Sequence, residues 1–218
     1  MSIYLPPVHT GLQILYADDA LLVVDKPAGL LSVPGRGADK QDCLISRVQA
    51  EFPEALTVHR LDMGTSGIMV LARGKAMERA LSILFQTRKV YKRYEAVVAG
   101  RMLHAVGEIN LPLITDWPNR PRQMVSFELG KPSCTGYQVL GYDVAMDTSR
   151  VGLEPVTGRS HQLRVHLQAL GHPILGDDLY ASPEICAKAE RLLLHATAIR
   201  FPHPLMGEEV VVSSTVPF

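Results

Sequence analysis

The chain has 218 residues, 47% of them hydrophobic, with 22 basic and 22 acidic side chains and a formal net charge of zero. That apolar content fills a real core and excludes a disordered chain, while the apolar runs, such as residues 12–24 interrupted by Asp18 and Asp19, fall short of the roughly 20 residues of a membrane span. A start with Pro6 and Pro7 and no basic segment does not read as a signal peptide, so a cytoplasmic protein is expected, and three distant cysteines (Cys43, Cys134, Cys186) suggest neither a disulfide framework nor a zinc site.

In chain order, residues 12–16 and 21–25 are short β-like runs joined by a turn at Asp18-Asp19, which predicts a hairpin. Lys26-Pro27-Ala28-Gly29 ends the second strand, and Pro34-Gly35-Arg36-Gly37 reads as an exposed loop. Leu44, Val48 and Phe52 recur every four residues, giving a short helix that stops at Pro53. A buried strand is expected over residues 68–72. Met77, Leu81, Leu84 and Phe85 share one face of a helix over residues 75–88.

Strands are then expected over residues 91–99, 123–128, 135–140 and 150–154, where β-branched or alternating patterns lie between turn residues. Residues 160–170 read as a helix stopped by Gly171, and Ser182-Pro183-Glu184 as the capped start of another. Residues 192–199 and 209–213 close the chain as strands. No repeat or linker is visible, so a single α+β domain over residues 1–218 is expected, with strands outnumbering helices roughly two to one.

Charge is unevenly spread. Residues 73–101 hold eight basic side chains (Arg73, Lys75, Arg79, Arg88, Lys89, Lys92, Arg93, Arg101) against Glu78 and Glu95, a stretch that suits either a solvated face or one turned to phosphates. The chemistry concentrates in HRLDMGTSG, residues 59–67, where a charged triplet borders a buried strand and Gly64 and Gly67 permit close backbone approach. Asp62 alone could simply pin a turn through an ion pair. A second segment, VTGRSHQLRVH (156–166), places Arg159 after a glycine at the predicted helix start, where side chain and backbone N–H groups favour an anion. An arginine of that kind keeps an aspartate ionised, as both a catalyst and a salt bridge require. His161 and His166 are five residues apart with no acid between them, which does not make a metal motif. Lys26 suits a phosphate or a sheet edge. Tyr94, alternating with Ala96 and Val98, suits the core or the face of a base.

Together with DDALLVVDKPAGLLSVPG (18–35), KRYEAVVAG (92–100), GKPSCTGYQV (130–139), GRSHQLRVHLQALGHPILGDDLYA (158–181) and RLLLHA (191–196), these segments resemble the RluA family of pseudouridine synthases. The resemblance implies a long bent mixed, mainly antiparallel sheet flanked by helices and loops around an RNA-binding cleft. It implies that Asp62 is the catalytic aspartate, Arg60 fills the place of the flipped nucleotide, Tyr94 is the active-site tyrosine, and Arg159 is the arginine paired with Asp62. Further RNA contacts are expected from His59, Lys26, Arg36, Lys92, Arg120, Arg122 and His161.

The short stretch before the first strand implies no separate S4-type domain. ITDWPNRPRQMV (114–125) is similar to the loop of the subgroup acting on the tRNA anticodon stem-loop and a 23S rRNA hairpin, and Met63, where many relatives carry Lys or Arg, agrees with it. The reaction would be isomerisation of uridine to pseudouridine in structured RNA: cleavage of the base–ribose N–C bond, rotation of the uracil, and rejoining through C5. No metal or cofactor is called for, and a monomer is expected. Two rival readings are a non-catalytic RNA-binding module and a nucleoside- or glycoside-cleaving hydrolase, the latter requiring a second carboxylate such as Asp177 or Asp178.

Overall fold

The computed structural model describes residues 4–218. Among them are twelve strands and four α-helices, gathered into two compact units. One runs to Lys92 and takes in Ala196–Pro217; the other is Arg93–His195 with Phe218. The α+β class with a mainly antiparallel sheet holds, with strands dominating more than the sequence suggested.

In the first unit β1 (Ile14–Ala17) and β2 (Leu21–Lys26) form the expected antiparallel hairpin. Asp18 shapes its turn by accepting the N–H groups of Ala20 at 2.7 Å and Leu21 at 2.8 Å. β2 pairs antiparallel with β4 (Ser66–Arg73) from Leu21↔Ala72 to Lys26↔Gly67, and β3 (Ala55–Thr57) pairs with the end of β4. The near-continuous apolar sequence of β2 and β4 reflects burial along most of both strands. Leu44, Ile45 and Val48 of α1 (Leu44–Glu51) pack with Leu22, Val24, Met69 and Leu71 in one core cluster. Helix α2 (Lys75–Gln86) ends just before Arg88, which turns left-handed at φ 58°. β12 (Glu209–Ser213) pairs antiparallel with Ala198–Pro202 of β11 (Leu194–Pro202).

In the second unit β5 (Tyr91–Ala99, with Arg93 onward in this unit) pairs antiparallel with β10 (Thr148–Pro155), β10 with β9 (Cys134–Asp143), and β9 with β6 (Val106–Asn110). A separate hairpin joins β7 (Leu113–Thr115) to β8 (Gln123–Val125). Helix α3 spans Gln162–Ala169, two residues later than the sequence suggested, because His161 takes a left-handed N-cap conformation at φ 54°. Its expected apolar face is only part of the story: Gln162, Arg164 and His166 are buried too, while Leu170 is exposed. Each buried polar group is satisfied. Gln162 Nε2 donates to Cys134 O and to Thr135 Oγ1, and His166 lies between Thr135 Oγ1 at 2.9 Å and Leu111 O at 3.0 Å. The Leu111 carbonyl can only accept, so His166 Nε2 carries a proton. Burial lowers its pKa and keeps the ring neutral.

Gly171, at φ 83°, stops α3 as expected. Ser182 caps α4 (Pro183–Cys186) by accepting the Ile185 N–H. No helix among the described residues is long and apolar enough to cross a membrane.

Candidate active site

Asp62 lies in a turn of the first unit that the loop leaving β2 grips on both sides. Ser32, buried, donates its hydroxyl to Leu61 O at 2.7 Å and accepts the Leu61 N–H at 3.1 Å. One residue beyond Asp62, the Met63 carbonyl accepts the Gly29 N–H at 2.9 Å and Lys26 Nζ at 3.2 Å. Asp62's own carbonyl accepts the Thr65 N–H at 3.1 Å. The backbone before, at and after the aspartate is therefore hydrogen-bonded, which fixes the Cα from which its half-buried carboxylate projects. Leu61 is buried, between an exposed Arg60 and a half-buried Asp62.

Two expected RNA contacts prove to be internal. Lys26 is fully buried, and its ammonium also donates to Leu30 O at 2.7 Å and Pro27 O at 2.9 Å. A charge enclosed by carbonyl oxygens holds the turn rather than reaching for a phosphate. His59 stacks on Phe85 of α2 with ring centroids 4.5 Å apart, and its Nε2 accepts the Val70 N–H at 2.9 Å. That bond requires an unprotonated Nε2. Burial, aided by the charge of Lys92, pushes the His59 pKa down to about 3, so the ring is neutral near neutrality with its proton on Nδ1.

Lys92, half-buried at the end of the first unit, has its own pKa lowered by burial. Arg36 is exposed, as its loop suggested. Gly67 has a structural reason to be glycine: φ is 111°, and a Cβ there would lie 2.4 Å from Ala196 O.

In the second unit Tyr94 sits opposite Leu153 and packs, part-buried, on the core made by Ala96, Val98, Val151 and Leu153. Arg159 is exposed in the loop before α3. Its backbone N–H donates to Gln162 Oε1 at 3.0 Å, and its guanidinium reaches Pro132 O at 3.5 Å. The later start of α3 leaves it two residues before the N-cap His161, off the helix terminus and its dipole.

His161 Nδ1 lies 2.7 Å from Tyr180 Oη, which also accepts the Gln123 N–H. Arg122 lies over the Tyr180 ring and Arg120 over Trp117, at 5.4 and 4.6 Å from the ring centroids. Arginine Arg164, not singled out from the sequence, is buried and grips Asp177 through Nε at 2.8 Å and Nη2 at 2.6 Å, with Asp178 at 3.2 Å. Asp177 also accepts the N–H groups of Leu179 and Tyr180. Its carboxylate is thus committed to the fold, which removes it as the second acid of a hydrolase. The adjacent acids in the sequence were the available signal for this pair.

Comparisons with known proteins agree with one another. Residues 20–169 match the family model described as RNA pseudouridylate synthase. Over 218 residues the chain is 52% identical to the dual-specificity RNA pseudouridine synthase RluA of Escherichia coli (strain K12), covering 99% of that protein. It is 54% identical over 204 residues to the protein of the same name from Vibrio parahaemolyticus, covering 92% of this chain and 82% of that one.

The solved structure of human RNA pseudouridylate synthase domain containing 1 superposes with a TM-score of 0.81 at 32% identity, covering 98% of this chain and 87% of that one. Human RNA pseudouridylate synthase domain containing 4 gives 0.75 at 26%, covering 94% and 88%. With a family model matched over more than half its length and a relative 52% identical from end to end, this chain belongs to the RNA pseudouridylate synthase family.

Proposed function

We propose that this protein isomerises uridine to pseudouridine in structured RNA, with Asp62 as the catalytic carboxylate and a tRNA anticodon stem-loop, a 23S rRNA hairpin or both as substrates. The observation that carries the reading is the grip on Asp62: Ser32 on Leu61 and Lys26 with Gly29 on Met63 hold the aspartate's backbone from both sides. A single acid held this firmly, in a family whose members carry the name of this reaction, suits chemistry that needs one carboxylate and no redox step. In this reading Arg60 occupies the gap left by the flipped nucleotide and Tyr94 lies against the uracil ring. Arg159 is a further catalytic residue, and Arg36, Lys92, Arg120, Arg122 and His161 contact the RNA. The protein acts in the cytoplasm as a monomer, with residues 1–218 working as one catalytic domain and no cofactor.

The test is tritium release from RNA labelled at uridine C5, since the isomerisation exchanges that hydrogen. Wild-type protein should release tritium without free uracil appearing. Free uracil would make it a hydrolase; binding without release would make it a non-catalytic RNA-binding module.

A further inference from the structure

The hairpin of β7 and β8 carries the chain's single tryptophan, and this residue is one of the exposed large apolar side chains. Trp117 is 64% exposed. Isolated exposed apolar residues are common on proteins and carry no message by themselves. The setting of this one is different in three respects.

First, the hairpin has a fixed root. Leu113 packs with Val165 and Tyr180, joined by Val125 and Leu179, and Tyr180 Oη accepts the Gln123 N–H at 2.7 Å. Second, the tip is ordered by its own bonds. Asp116 N–H donates to Arg122 O, Asn119 N–H to Asp116 O and Arg122 N–H to Asn119 O, at 3.0, 3.1 and 3.1 Å. Asn119 Nδ2 also bonds the Asp116 carboxylate at 3.0 and 3.1 Å, occupying the one acid of the tip. The indole is therefore presented on a preorganised loop, so little entropy is lost when something lies on it.

Third, the neighbourhood is cationic. The Arg120 guanidinium lies 4.6 Å from the Trp117 ring centroid, and Arg122 follows two residues on. Among the described residues neither arginine is in an ion pair with a carboxylate. An aromatic face backed by one arginine free of carboxylates, with a second in the same hairpin over the Tyr180 ring, suits a nucleotide: a π-surface for the base and guanidinium N–H groups for its phosphates.

We propose that Trp117 is a stacking platform for an unpaired base of the substrate RNA, with Arg120 backing the indole and Arg120 and Arg122 serving the flanking phosphates. The inference rests on the RNA-isomerase reading above and extends it to a recognition residue remote in sequence from Asp62. The base belongs to a single-stranded loop, because bases inside a duplex keep their faces stacked on one another.

The experiment uses the full chain and a tRNA anticodon stem-loop oligonucleotide, following tryptophan emission while RNA binding is measured independently by filter retention. Emission should be quenched in step with binding. Trp117→Leu should raise KM about tenfold or more with kcat little changed, and Trp117→Phe, which keeps a flat ring, should recover most of the loss. A loss caused by a collapsed hairpin would not be rescued by that ring.

If RNA is bound and isomerised while emission stays constant and Trp117→Leu matches wild type, the platform is wrong and the isomerase reading stands. If emission responds to a protein partner and not to RNA, the hairpin is a protein-docking site and the proposal is overturned. If the wild-type protein neither retains nor isomerises RNA, both readings fall together.

Discussion

The turn around Asp62 and the hairpin around Trp117 are both loops rich in polar groups, yet they use them in opposite ways. At the turn, Lys26, Ser32 and His59 direct their polar atoms inward onto backbone groups, leaving Arg60 exposed and Asp62 half-buried. At the hairpin the backbone and Asn119 organise the tip, and Trp117, Arg120 and Arg122 stay at the surface. A reacting group has to be placed within fractions of an ångström, whereas a binding group has to be reachable. The sharpest way to break this contrast is Asp62→Asn, which keeps the shape of the side chain and removes its charge. Turnover in the tritium-release assay should fall at least about a thousandfold while RNA affinity changes little. Substantial residual isomerisation would make the gripped turn a structural feature only.

The inward use of side chains has a pH signature. Folded His59 has its pKa pushed down to about 3, against an ordinary 6.5, so between these values the unfolded chain binds a proton that the folded chain refuses. Stability from this residue is complete above pH 6.5 and drains away as the pH falls toward 3. The loss should be roughly 1.4 kcal/mol per pH unit within that window. Denaturant titrations at pH 7, 5 and 4 should show a steep acid limb in wild type and a shallower one in His59→Gln, which cannot take up a proton there. Equal acid limbs would show that the ring is not the group responsible.

How far the sequence foretold these regions depends on whether a feature is local. The β5 span, the Gly171 stop and the Ser182-Pro183-Glu184 cap were legible because each follows from backbone preferences of a few adjacent residues. β3, β6 and β7 were missed. β3 and β7 have only three residues, and β6 shows one buried position in five, so none carries a hydrophobic period to detect. The start of α3 was misplaced because the left-handed His161 has no signature in residue type alone. Lys26 and His59 were recognisable as polar residues, but Lys26 reaching the Met63 carbonyl and His59 the Val70 N–H depend on groups distant along the chain. For the same reason Arg164, flanked by Leu163 and Val165, could not be matched to Asp177 although the adjacent acids Asp177 and Asp178 stood out.

Ser32 tests the grip itself. Its hydroxyl both donates to and accepts from Leu61, so Ser32→Ala leaves two backbone groups beside Asp62 without that partner. A loss of about 1–3 kcal/mol in unfolding free energy is expected, together with a drop in kcat larger than any change in KM. Ser32→Thr, which keeps the hydroxyl, should recover much of the rate if it fits. Unchanged kcat in a folded Ser32→Ala protein would show that Asp62 is positioned without this bond.

The smallest effect belongs to the hairpin's exposed charges, and it reads the other half of the contrast. If Arg120 and Arg122 serve phosphates, each contributes through released counterions and not through a buried bond. Replacing either by Ala should then weaken RNA binding modestly at moderate salt and lower the slope of log affinity against log salt concentration by about one. Folding stability should be nearly untouched, since neither arginine is in an ion pair among the described residues. Arg122→Ala also removes the guanidinium over Tyr180, so Arg120→Ala is the cleaner variant. A shallower salt slope for Arg120→Ala with unchanged kcat would confine this residue to binding, whereas a fall in kcat at saturating RNA would give the hairpin a part in placing the uridine and erase the division of labour between the two loops.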